Sequence, residues 1–202
     1  PAWSAGAFLA QSRAAMRVAR VLDPRPGERV LDLCAAPGGK STHLAALMGG
    51  EGEVVAVERN ARRAGMLART AQRLQAANVR VEVADAAVER PEGAAFDRVL
   101  VDPPCSGLGT LQARADLRWR VTPEHVREMT HTQAAILAAG AAAVRPGGVL
   151  VYSTCTISVT ENESQIAAFL DAHRDFSSDE RMTTLPHRDH TAGFFIARLR
   201  RS

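Results

Sequence analysis

Aromatic residues make up only 4% of this 202-residue chain, so its core must be built from Ala, Val and Leu rather than from packed rings. Cysteine is scarcer still. The three present, Cys34, Cys105 and Cys155, are an odd number, lie far apart and form no CxxC pair. That excludes a disulfide framework and offers no metal-site spacing, so no metal is expected and the thiols are read as reduced ones in a cytoplasmic protein. Long apolar runs are missing too: the longest, residues 134–144, holds 11 residues and is too short for a bilayer. No charged-then-apolar leader opens the chain, which begins at Pro1 and reads as cut from something longer; no membrane association is expected. The dinucleotide pattern GxGxxG is absent. Gly39-Lys40-Ser41 resembles the tail of a phosphate-binding loop whose first glycine is missing.

The rarest charged residue is the most informative. Of the 25 Lys and Arg, Lys40 is the only lysine, and it sits directly after the paired glycines Gly38-Gly39 of a strand-to-helix loop. A base bias toward arginine codons accounts for the arginines but not for that placement. Position 40 is therefore read as needing an ammonium on a flexible stem rather than a planar guanidinium. With 46% hydrophobic and 23% charged residues, the rest is an ordinary globular composition sufficient for one sizeable core. The net charge of +3 permits a polyanionic partner without requiring one.

Periodicity then organises the chain. Helices are predicted over 3–22, 39–48, 60–76, 123–144 and 161–173, and strands over 30–33, 53–58, 79–83, 96–101, 149–153 and 194–199. The turn Arg145-Pro146-Gly147-Gly148 closes the fourth helix, and the polar segment 175–190 is left without a placed strand. Alternating strands and helices imply an α/β domain with a mainly parallel, doubly wound sheet. The predicted organisation is an N-terminal helical extension over 1–26 and a single catalytic domain over 27–202.

Ligands of such a sheet bind beyond the carboxyl ends of its strands. After the first strand comes Asp32-Leu33-Cys34-Ala35-Ala36-Pro37-Gly38-Gly39-Lys40, whose paired glycines let a cofactor approach the backbone. Glu58 ends the second strand, where a carboxylate can accept from both hydroxyls of a ribose, and Asp85 follows the third, where it can accept from an adenine amino group. Asp102-Pro103-Pro104-Cys105-Ser106-Gly107 follows the fourth, with a thiol where amine methyltransferases carry a stacking aromatic. Cys155 ends the fifth, in Tyr152-Ser153-Thr154-Cys155-Thr156. A lone cysteine is most often an inert core residue. Two at active-face strand ends point to chemistry instead. Carbon 5 of cytosine is a poor nucleophile until a thiolate adds to carbon 6, and Cys105, Cys155, Asp102 and Lys40 supply the thiol, the acid–base groups and a nearby positive charge.

These motifs resemble the catalytic domain of the RsmB/NOL1/NOP2/Sun family of RNA cytosine-C5 methyltransferases. The similarity runs through residues 30–40, 102–109, Arg118-Trp119, 147–155, Glu161-Asn162-Glu163 and Gly193-Phe194-Phe195, in the family's order. It implies a Rossmann-like class I methyltransferase fold with a seven-stranded sheet, helices on both faces, and S-adenosylmethionine as methyl donor. By resemblance the cofactor falls to Cys34, Ala35, Ala36, Pro37, Gly38, Gly39, Lys40, Glu58, Arg63, Asp85 and Asp102. Cys155 becomes the nucleophile, Cys105 the thiol that helps break the adduct, and Asp102 with Lys40 the groups at the base's polar edge. The expected substrate is RNA, small-subunit ribosomal RNA first and transfer RNA second, handled by a monomer with a further RNA-binding domain upstream. Glu58 stands where the family usually has Asp, Pro103 where bacterial relatives often have Ala, and Ala192 where Asp usually precedes the glycine.

Other readings fit less well. A DNA cytosine-C5 enzyme needs a separate target-recognition domain, and an inactive RNA-binding scaffold has no use for intact thiols, Lys40 and Asp102. A nicotinamide oxidoreductase needs the missing dinucleotide fingerprint. Arg114, Arg118, Arg120 and Arg127, around Trp119, are the expected grip on RNA phosphates, against the alternative of a solvated face.

Overall fold

Valine-rich strands buried on both sides need helices above and below them, and the alanine-rich segments between them supply those layers. A computed structural model describes residues 2–202. Its strands are β1 (Arg29–Leu33), β2 (Glu53–Val57), β3 (Val79–Glu82), β4 (Phe96–Val101), β5 (Val144–Thr154), β6 (Phe176–Thr184) and β7 (Phe194–Arg201). They form one seven-stranded sheet in the order β3-β2-β1-β4-β5-β7-β6. The pairs from β3 through β5 are parallel, whereas β7 runs antiparallel to both β5 and β6. This is the mainly parallel Rossmann-like sheet expected, and the strand order reverses between β1 and β4.

Alternation along each strand splits the core in two. Leu31, Leu33, Val99, Val101, Leu150 and Tyr152 join a cluster with Ile136 and Leu137 of α5 (Pro123–Ala143) and Ile166 and Phe169 of α6 (Glu163–Ala172). Val30, Leu100, Val149 and Val151 face the other way, onto Ala14, Val18 and Leu22 of α1 (Arg13–Leu22) and Leu44 of α2 (Gly39–Leu47). Leu67 of α3 (Ala61–Arg73) closes a smaller cluster with Ala35, Ala36 and Ala56.

Three predicted elements differ from the structure. The first helix spans only Arg13–Leu22, because Ser12 caps it by accepting from the Ala15 amide at 3.2 Å and Gly6 turns the preceding chain at φ 74°. Upstream, Trp3 packs edge-on against Phe8 under the Arg73 guanidinium. The Arg145–Gly148 turn lies inside β5 rather than before it. Val144 pairs with Phe96 and the register resumes at Arg98 with Val149, so the glycine-rich stretch is an irregularity in a continuous strand. The unplaced polar segment contains β6, an edge strand with five consecutive exposed residues, so no alternation marked it.

Candidate active site

The carboxyl ends of β1, β2, β4 and β5 open onto two adjoining cavities of about 300 and 730 Å³ that share Cys34, Ala36 and Asp102. Of the thirteen residues singled out from the sequence, Ala35, Pro37, Gly39 and Lys40 line the smaller cavity and Glu58, Arg63, Asp85, Cys105 and Cys155 the larger. Gly38 lines neither. It turns the chain into α2 at φ 104°, where a Cβ would meet Leu67 Cδ1 at 2.6 Å. Its role is to seat the loop against α3.

The loop after β1 is held by its neighbours. The Ala35 amide donates to the Val57 carbonyl at 2.9 Å, and Arg63 bridges from α3 to the Ala36 carbonyl at 3.0 Å and to Glu58 at 3.2 Å. Glu58 is itself buried and accepts from the Asn60 amide at 2.9 Å. Asp85 accepts from the Ala87 amide at 2.9 Å. Two carboxylates and the loop backbone thus line one end of the cleft.

Lys40 projects from the first turn of α2 and donates to Asp102 Oδ2 at 2.6 Å, while Ser153 donates to Asp102 Oδ1 at 2.7 Å. Burial lowers the Lys40 pKa and the touching carboxylate more than reverses this, so the ammonium is held above its ordinary range. Beside it, the thiols of Cys105 and Cys155 lie 3.4 Å apart. The Cys105 thiol hydrogen-bonds the Cys155 sulfur, and this, with Lys40 nearby, lowers the Cys155 pKa against burial. Cys105 moves the other way, raised by that same contact and by burial. Cys34, ringed by Asp102, Asp32 and Glu58, is pushed up to about 12, chiefly by burial.

Sequence reasoning gave no role to four groups that shape this site. Asp32 is buried at the floor of the smaller cavity; it accepts from Ser41 at 2.6 Å through one oxygen and leaves Oδ1 without a protein partner. Burial pushes its carboxyl up to about 7. His131 and Thr132 of α5 line the larger cavity, and Glu161 lies behind both thiols. Asp32 sits within the loop motif and Glu161 within the Glu161-Asn162-Glu163 run, but nothing in their spacing reports burial. On the rim, Arg114 lines the larger cavity, while Arg114 and Arg120 contact Asp116 and Arg127 contacts Glu124 in exposed pairs. Trp119, on the short helix α4 (Leu117–Arg120), is 88% exposed between them.

Comparison with known proteins places this arrangement. The probable ribosomal RNA small subunit methyltransferase B of Synechocystis is 41% identical over 100% of this chain and 49% of its own length. The protein described by the same words in Bacillus subtilis is 39% identical over 97% of the chain and 48% of its own. The chain therefore spans about half the length of the curated relatives it matches. Among solved structures, NSun6 from Pyrococcus horikoshii with SFG superposes at a TM-score of 0.89 with 32% identity, over 99% of this chain and 54% of that one. The family described as 16S rRNA methyltransferase RsmB/F matches residues 19–200, and with relatives at this level of identity the chain belongs to that family.

Proposed function

We propose that this chain is the methyl-transferring unit of an enzyme that methylates carbon 5 of cytosine in small-subunit ribosomal RNA, with S-adenosylmethionine as donor. The observation that carries the reading is the contact between two thiols of unlike acidity, in the same cleft as Lys40–Asp102 and the acid-lined end. The names of the relatives support the RNA class, and the structural neighbour's complex with SFG, an S-adenosylmethionine analogue, supports the donor.

The residues present fit that cofactor. Glu58 and Asp85 offer carboxylates to a ribose and an adenine amino group, and Asp32 Oδ1 is a buried acceptor with no protein donor, suited to an amino group. Cys34 to Pro37 and Gly39 offer backbone, and Arg63 braces Glu58. Bound there, the cofactor supplies an electrophilic sulfonium methyl group.

The chain's own residues prepare the acceptor. Cys155, the more acidic thiol, adds to carbon 6 of the flipped base; a C–S bond forms and the ring's electrons shift toward N3 and carbon 5. Lys40 and Asp102 stabilise the charge that builds on the base's polar edge. Once carbon 5 carries its methyl group, loss of its proton to a base re-forms the double bond and expels Cys155 as thiolate, with Cys105 beside the departing sulfur. Arg114, Arg118, Arg120 and Arg127 around Trp119 form the RNA entrance in this reading. The exposed ion pairs of Arg114, Arg120 and Arg127 are weak and yield readily to phosphates.

The test uses the full-length protein and RNA containing 5-fluorocytosine, in which the adduct cannot lose the carbon 5 substituent. Cys155→Ala should abolish methylation and the covalent complex. Cys105→Ala should let the complex accumulate on ordinary RNA. The reverse pattern would exchange the two roles, and no adduct with any variant or with the unaltered protein would remove the covalent route.

A further inference from the structure

Glu161 is fully buried, yet it is held by neutral donors rather than by a cation. A carboxylate taken out of water in this way is costly unless several hydrogen bonds satisfy it. Oε1 accepts from the Ser106 amide at 2.8 Å and from Gln133 Nε2 at 3.0 Å, and Oε2 accepts from the Ser106 hydroxyl at 2.5 Å. The Glu161 carbonyl accepts from the Tyr152 hydroxyl at 2.7 Å. One acid therefore ties together the loop after β4, the end of β5 and helix α5.

Proton accounting gives the network a direction. A carboxylate only accepts, so the Ser106 hydroxyl proton points at Glu161. Ser106 Oγ must then accept at its 2.7 Å contact with Thr156 Oγ1, so the donors run from Thr156 to Ser106 to Glu161. Ser106 directly follows Cys105, and Thr156 directly follows Cys155. On the far side of Cys105, Gln133 also donates to the Pro104 carbonyl at 3.0 Å. Around Cys155, Asn162 accepts from the Thr154 hydroxyl at 2.6 Å and donates to the Thr156 carbonyl at 3.1 Å. The Cys155 carbonyl accepts from the Gly109 amide at 3.0 Å, where a Cβ on Gly109 would collide with the Gly193 carbonyl oxygen at 2.0 Å. Each cysteine is thus pinned on both sides by groups that converge on residues 161 and 162.

We infer that Glu161 is the positioning residue of the thiol pair: its buried carboxylate, through Ser106, Thr156 and Gln133, holds the loops of Cys105 and Cys155 at sulfur contact. It touches neither sulfur and is not a catalytic residue. For turnover, the inference rests on the reading that these thiols form and break the adduct. The contact itself is independent of RNA and donor. A glutamine at 161 keeps an oxygen for Ser106 N and Gln133, while its amide N–H turns the Ser106 proton toward Thr156. The spacing survives with the proton order reversed. An alanine removes every side-chain link.

Phenylarsine oxide tests the contact directly. The arsenical condenses with two thiols, forming two As–S bonds and releasing one water, and it does so tightly only where the sulfurs are already close. In the full-length protein, peptide mass spectrometry should find Cys105 and Cys155 bridged. Glu161→Ala should weaken capture about 100-fold, the scale set by an ångström-sized misplacement, and Glu161→Gln should restore it to within about tenfold of the unaltered protein. Cys34, on a separate loop, must stay protected from alkylation in the native variant. Should Glu161→Ala expose Cys34, Ser106→Ala decides, with capture about tenfold weaker and Cys34 protected. Methylation by Glu161→Ala should lose kcat with little change in KM for RNA. Undiminished capture in the deciding variant, or no bridging in the unaltered protein, overturns the inference. Efficient capture without methylation would instead count against the function proposed above.

Discussion

Cys34 and Cys155 end strands of the same sheet and line the same cleft, yet their thiols are opposite in acidity. At the Cys34 end, burial and three carboxylates outweigh the Arg63 guanidinium on the rim. At the Cys155 end, a second thiol shares a hydrogen bond and Lys40 supplies a positive charge. The chemistry of a cysteine here belongs to its surroundings rather than to its place at a strand end. In the function proposed here, one end of the cleft holds polar groups and the other reacts.

The largest effect expected from this contrast is in thiol reactivity. In iodoacetamide labelling near pH 8, Cys155 should react far faster than Cys34, in the order of their thiolate fractions. Cys105 should follow Cys155 slowly. Peptide mapping over a time course gives the three rates, and equal rates at Cys34 and Cys155 would erase the distinction.

Removing the charge that divides the two ends comes next. Lys40→Met leaves a mostly buried carboxylate beside the thiols, since Asp102 is 23% exposed. Methylation should fall about 100-fold and stability by about 3 kcal/mol in urea unfolding, the cost of an uncompensated charge. Adding Asp102→Asn should recover stability but not activity. Lys40→Arg should not rescue turnover, because a planar guanidinium does not replace a compact ammonium.

The smallest effect concerns the acid end. Asp32 is pushed up to about 7 in the fold against 3.8 for an ordinary aspartate. A raised carboxyl contributes stability that is complete below the ordinary value and is lost as pH rises through the folded one. The protein should therefore weaken as pH rises through about 4 to 7, with roughly 3 kcal/mol of that loss falling between pH 5 and pH 8. Asp32→Asn should flatten that slope in urea titrations at pH 5 and pH 8. If Asp32 takes the donor's amino group, donor affinity should rise across the same interval and lose that rise in the variant.

Much of this was legible in the chain. Strand ends rich in Gly, Asp and Cys locate the cleft because a parallel sheet presents all its carboxyl ends on one edge, and short valine-rich apolar runs mark most of the parallel strands. Strand β6 was not legible, since an exposed edge carries no alternation and is defined only by pairing with β7. Glu161 was equally hidden. An acid two residues before a helix reads as a first-turn charge, and only the packing of α5 against the β4 and β5 loops shows that it is buried.

By itself, then, the order of residues determined the α/β layering, the loop after β1 and the presence of a lone lysine and two thiols among the strand-end motifs, because these depend on local pattern and connectivity. Tertiary structure alone decided that those thiols touch, that one is more acidic than the other, and that an acid 55 positions beyond Ser106 fixes their spacing. Proton affinity and contact distance are set by neighbours brought together in space, and separation along the chain does not encode them.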